Sequence, residues 1–121
     1  MKKIIIFFLF IFTNLNAESF KLEKIIENLE KPWSLSFINN QNLLITEKSG
    51  NIKFINLEEK KIKEISHNLQ VLEDGQGGLL DILYKDNIIF ISYSENRLNG
   101  MSSTSIARAN FNDKKLKFNN I

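Results

Sequence analysis

From residue 18 onward, apolar residues do not sustain the three-to-four spacing of a helix. Short runs rich in Ile, Leu and Phe alternate instead with clusters of Asn, Asp, Gly and Lys. That pattern predicts many short strands. The first run is Phe20–Ile26, and four more follow at Trp33–Ile38, Asn42–Glu47, Asn51–Leu57 and Lys61–Ser66. Small turn-forming pairs connect them. Asn39-Asn40 joins the first two of those four, and Ser49-Gly50 suits a tight hairpin because Gly takes a positive φ without steric cost.

The arrangement then repeats. Strands are expected at Leu79–Tyr84, Ile88–Ser94, Thr104–Phe111 and Lys115–Asn119, and Trp33 aligns with Leu79 at an offset of 46 residues. In the second copy the polar turn between the first two strands is Lys85-Asp86-Asn87. Four antiparallel strands recurring at about 40–50 residues have the spacing of β-propeller blades. An irregular β-sandwich would also produce short alternating strands. Propellers close with about 4–8 blades, and this sequence holds two, plus the isolated run Phe20–Ile26. That run would complete the last blade of a closed ring. The expected fold is therefore all-β, a β-propeller fragment of about two blades plus a ring-closing N-terminal strand, with edges and inter-blade faces left unpaired.

The N-terminus changes how the charge is counted. Residues 1–17, MKKIIIFFLFIFTNLNA, place two lysines before nine consecutive apolar residues and end on a small residue. This is the order of a secretory signal peptide, with cleavage expected after Ala17; Leu15, large for the position three before the cut, leaves an uncleaved anchor as the alternative. The apolar run is shorter than the roughly 20 residues a bilayer requires, and no later stretch is long enough to form a stable membrane span. The expected organisation is a signal peptide at 1–17, then a propeller portion at 18–121, periplasmic in a Gram-negative host. From Glu18 onward 14 basic and 14 acidic residues balance. A neutral chain lacks the clustered positive face that nucleic acid or an anionic membrane selects. With no cysteine, disulfides, a thiolate nucleophile and thiolate metal sites are excluded.

Candidate chemistry concentrates in Glu73-Asp74-Gly75-Gln76-Gly77-Gly78-Leu79-Leu80-Asp81, where three of the five glycines fall within four positions. Such density lets a backbone approach a ligand or turn sharply before a strand, and Gln76 can offer both a donor and an acceptor there. A blade-to-blade loop whose glycines serve only geometry accounts for the same residues. No Gly-Lys-Ser/Thr follows, so this is not a P-loop. Pro32-Trp33 opens a strand without costing a ladder bond, and Trp33 is expected to pack between blades. Thr46-Glu47-Lys48 closes a strand with either a buried Glu–Lys pair or an exposed, weak one. His67, the lone histidine, has no catalytic partner nearby in sequence and is expected to be surface or loop filler. The serines lack a nucleophile-elbow context, Tyr93 and Arg108 are expected to be structural, and no metal-ligand spacing occurs.

Five tags in order resemble a known family: Leu29-x-x-Pro32-Trp33-Ser34-Leu35-x-Phe37, Leu44-x-Thr46-Glu47-Lys48-x-Gly50, Gly75-Gln76-Gly77-Gly78-Leu79-Leu80-Asp81, Ile91-Ser92-Tyr93-Ser94 and Thr104-Ser105-Ile106-Ala107-Arg108. Together they resemble the N-terminal part of the soluble, pyrroloquinoline quinone-dependent aldose sugar dehydrogenases, the glucose/sorbosone dehydrogenase family. The resemblance implies a six-bladed propeller holding the quinone and calcium at its channel mouth. It also implies oxidation of the C1 hydroxyl of an aldose to a lactone, with a separate electron acceptor. Gln76 matches the glutamine that faces sugar and cofactor, with Asp74 a loop-shaping neighbour. Where the family has Thr-Glu-Arg, Lys48 keeps the charge but loses the planar fork. The family's catalytic histidine, calcium ligands and most cofactor-binding arginines belong to later blades, and His67 does not occupy the base's position. This sequence is thus expected to supply no catalytic residue and no metal ligand, and to be inactive alone. Propellers host many functions, so a non-catalytic extracytoplasmic binding or scaffold module is the alternative.

Overall fold

The computed structural model describes residues 19–121. The expected leader at residues 1–17 lies outside the described residues. The strands are β1 (Pro32–Phe37), β2 (Asn42–Glu47), β3 (Ile52–Asn56), β4 (Lys61–His67), β5 (Leu79–Lys85), β6 (Ile88–Asn96), β7 (Ser102–Asn110), β8 (Lys115–Leu116) and β9 (Asn119–Asn120). Strands β1 to β7 fall within two residues of their expected bounds.

β1 to β4 form one antiparallel meander, and β5 to β7 begin a second. Each is the strand arrangement expected of a blade. The β5–β6 hairpin turns on Asp86 and Asn87, both left-handed at φ 50° and 63°. Two consecutive positive φ values give the turn twist that matches paired strands. The two blades pack face to face around a shared core. Leu44, Ile52 and Ile65 meet Leu79, Ile89 and Ile91, all of them buried. No backbone ladder joins β1 to β5, and side chains of β1 and β2 link the first blade to β5. Thr46 Oγ1 donates to the Leu80 carbonyl at 2.6 Å, and Ser36 Oγ accepts the Tyr84 N–H at 2.8 Å. Ser34 Oγ donates to the Asp81 carboxylate.

Three expectations are corrected. Phe20–Ile26 is not a strand, and Phe20 and Leu22 are almost fully exposed. A strand forms only by pairing with a neighbour, and no described strand pairs with this segment. Its last residue, Ile26, and Leu29 beyond it pack on a small cluster of Leu43, Ile45 and Ile55 instead.

The expected strand Lys115–Asn119 divides in two. β8 pairs in parallel with β4, whereas β9 pairs antiparallel with β7. Leu116 and Phe118 turn into the shared core between the two pairings. Asn68 clamps the backbone of Phe118, accepting its N–H at 2.7 Å and donating to its carbonyl at 3.0 Å. The segment is a strap that ties the first blade's outer edge to the second.

Trp33 does not fill the gap between the two described blades. It is the extra residue where the β1–β2 register shifts between Pro32 and Ser34, and it stays 48% exposed. A bulge re-aims the side chain it carries.

Candidate functional site

The connection from β4 to β5 builds the site. It runs first beside the end of β6, where the Leu72 N–H donates to the Ser94 carbonyl at 2.9 Å and the Asn96 N–H to the Gln70 carbonyl at 2.8 Å. It then turns tightly through Asp74-Gly75-Gln76-Gly77, closed by the Gly77 N–H donating to the Asp74 carbonyl at 2.6 Å. Two glycines are dictated by close approach. A Cβ on Gly77 would lie 2.7 Å from Ser94 Oγ, and one on Gly78 would overlap the Lys48 carbonyl oxygen. Close approach thus dictates Gly77 and Gly78, and the tight turn has a consequence for Gln76. The turn lifts Gln76 to its tip, exposed, with no side-chain hydrogen bond among the described residues. Asp74 is exposed beside it, its carbonyl rather than its carboxylate shaping the turn.

The first blade supplies the floor. Lys48 Nζ donates to the Gly75 carbonyl at 2.5 Å, and the Lys48 carbonyl accepts the Leu79 N–H at 3.0 Å. The same ammonium sits 6.0 Å from the Trp33 ring centroid. Lys31 Nζ meets Glu73 Oε1 at 2.7 Å, and that hydrogen bond together with the Glu73 charge raises the Lys31 pKa above its ordinary value.

Glu47 and Lys48 do not pair with each other. Glu47 is buried and accepts the Glu30 N–H at 2.8 Å and Asn51 Nδ2 at 2.9 Å, with Lys53 Nζ at 3.6 Å. Burial acts to raise its pKa, but the Glu30 and Asn51 hydrogen bonds and the Lys53 charge outweigh it, so the carboxyl titrates below its ordinary value. The Glu47 side chain holds the segment before β1, and the Lys48 side chain holds the glycine turn.

His67 ties backbone segments together rather than merely filling a surface loop. Its Nδ1 accepts the Leu69 N–H at 3.2 Å, which leaves Nε2 to donate to the Gly50 carbonyl at 2.7 Å. Both ring nitrogens are engaged. Tyr93, expected to be structural, is buried and donates to Asn120 Oδ1 at 3.0 Å. Beside it Glu95 accepts from Ser105 at 2.8 Å, Asn120 at 3.0 Å and Arg97 at 3.1 Å. Those donors, Ser105 foremost, hold the Glu95 carboxyl below its ordinary pKa. Sequence reasoning missed this cluster because its members lie on three strands, brought together only by the β6–β7 and β7–β9 pairings.

The sequence model of the glucose/sorbosone dehydrogenase family matches residues 29–121. The chain belongs to that family. The match begins at Leu29, the first residue of the expected motifs, and contains the whole glycine turn. Aldose sugar dehydrogenase YliI of Escherichia coli strain K12 is 29% identical over 98 residues, which are 76% of this chain and 26% of that protein. A crystal structure of a glucose dehydrogenase is 30% identical at a TM-score of 0.74, covering 81% of this chain and 31% of the other. The pyrroloquinoline quinone-bound aldose sugar dehydrogenase of Streptomyces coelicolor, 18% identical, shares the fold at a TM-score of 0.71 over 83% of this chain and 32% of its own. The chain thus spans about a quarter to a third of the relatives it matches. The two meanders are blades of a β-propeller.

The family's quinone can be tested against the residues present. Gln76 fits a hydrogen-bonding role toward a polar ligand, because its amide is exposed and uncommitted. Calcium finds no counterpart here: among the described residues no three His, Asp or Glu side chains converge.

Proposed function

We propose that this chain is the N-terminal, two-blade portion of an exported, quinone-dependent dehydrogenase that oxidises the C1 hydroxyl of aldoses to lactones in the periplasm. The observation that carries this reading is the glycine turn of a family member, whose bends present Gln76 to solvent above the junction of the two blades. The charged leader-like N-terminus supports export, and the names of the similar dehydrogenases support aldose as substrate and pyrroloquinoline quinone as cofactor. Bound quinone would accept hydride from C1. Gln76 would orient the sugar or the cofactor by donating from its amide nitrogen and accepting at its amide oxygen. His67 cannot serve as the base while both its nitrogens hold backbone groups. In this reading the proton acceptor and the calcium ligands come from other blades, and the 121-residue chain alone turns over no sugar.

The test is to sequence the gene beyond codon 121 and assay its complete product with aldoses, quinone, calcium and an artificial electron acceptor. Reduction of the acceptor that requires both aldose and quinone is the expected result. A complete product that binds no quinone and oxidises no aldose would make the protein a non-catalytic propeller.

A further inference from the structure

Every group of Lys48 able to bond holds a different segment. Its N–H donates to the Lys31 carbonyl at 3.0 Å, anchoring the approach to β1. Its carbonyl accepts the Leu79 N–H where β5 begins, and its ammonium reaches the Gly75 carbonyl within the turn. Its Cγ lies under Gly78, at a place where no side chain could fit. Other attachments of the turn are weaker or lie at its margins. The Lys31–Glu73 pair has side chains 62% and 30% exposed, and exposed pairs contribute little. The Ser94 N–H meets the Gly78 carbonyl only after the turn has closed.

We propose that Lys48 is the positioning residue of the Gln76 turn, fixing where the second blade's loop presents its amide. The proposal rests on the reading of Gln76 given above. A charge-assisted bond from an ammonium to a carbonyl is stronger than a neutral one. The Trp33 ring, close to the ammonium on its outer side, favours the cation in that place. This role separates Lys48 from its neighbour Glu47, whose side chain bonds Glu30, Asn51 and Lys53 and none of the glycine turn.

Hydrogen exchange on the 121-residue chain tests the proposal through the Gly77 and Leu79 amides, with the buried Ile91 amide as reference. Lys48→Met keeps the stem and removes the donor. It should speed exchange at Gly77 by about tenfold, the effect of losing one charged hydrogen bond, while Ile91 is unchanged. Lys48→Arg restores a cationic donor and should return Gly77 to within about twofold of the parent. Unchanged Gly77 exchange in Lys48→Met would overturn the proposal. So would a uniform rise at Gly77 and Ile91, which marks Lys48 as a general packing residue, or a failure of Lys48→Arg to restore protection. Gln76→Ala should leave all these rates alone. If that variant also left sugar oxidation by the complete gene product intact, the reading of Gln76 would fall, while the exchange result for Lys48 would stand.

Discussion

The second strands of the two blades are the same element in different surroundings. β2 and β6 align at the 46-residue offset, so Ile45 corresponds to Ile91 and Leu44 to Phe90. β2 is buried on both sides from Leu43 to Glu47: blade two covers one face, and Ile26 and Leu29 cover the other. β6 is buried on alternate residues only, Ile89, Ile91 and Tyr93 facing the joint. Its far face continues into an open patch, with Leu83 54% and Ile106 53% exposed. Burial of a strand face is thus decided by the neighbouring layer and not by the strand's own composition.

The sharpest way to break this comparison is to remove equal apolar bulk from the two faces of blade two. Ile91→Ala opens a cavity in the shared core and should cost about 2–5 kcal/mol, unfolding much of the chain at room temperature. Leu83→Ala, on the open face, should cost under about 1 kcal/mol, since half its surface is already in water. Urea unfolding followed by circular dichroism measures both. Equal losses would mean that the open face is covered in solution.

The next effect comes from Glu47, whose equivalent in blade two is the neutral Tyr93. The folded pKa of Glu47 lies below its ordinary value. Its charged form therefore contributes stability that is complete above the unfolded pKa and is lost as pH falls through the folded one. Glu47→Gln turns an amide donor toward the Glu30 and Asn51 donors, and should cost about 1.5–3 kcal/mol at neutral pH. The same variant should flatten the loss of stability below about pH 4.5. An undiminished acid slope in Glu47→Gln would assign it to Glu95 or Asp113, the other carboxyls held low.

Local pattern made most of the blade architecture legible. Alternation and turn residues located β1 to β7 because each pairs with a chain neighbour through a short turn, and such pairing is written in adjacent sequence. What failed depends on distant partners. Phe20–Ile26 has strand composition but pairs with no described strand. Lys115–Asn119 has strand composition, yet the core draws in Leu116 and Phe118 and splits it between two sheets. At the site, the glycine cluster pointed to a constrained turn, and Gln76 was visible as its one side chain with both donor and acceptor. The support was not visible. Glu47-Lys48 reads as an ion pair in one dimension, and only the packing of blade two against β2 shows the two side chains serving different loops.

The smallest expected effect on the fold is at Gln76. Its side chain is exposed and makes no hydrogen bond among the described residues, and the turn is closed by the backbone of Asp74 and Gly77. Gln76→Ala should therefore shift stability by no more than about 0.5 kcal/mol, against several for Ile91→Ala. Catalysis should reverse that order. In the complete gene product, loss of a polar group that contacts the reacting sugar or its cofactor should lower kcat/KM by about tenfold or more, each 1.4 kcal/mol of transition-state binding being a factor of ten. Thermal melts of the chain and steady-state kinetics of the complete product give the two numbers. A variant that melts normally but oxidises sugar poorly places Gln76 at the chemistry. One that melts early and retains its turnover would make it a structural residue of the turn, and the glycines around it would then serve geometry alone.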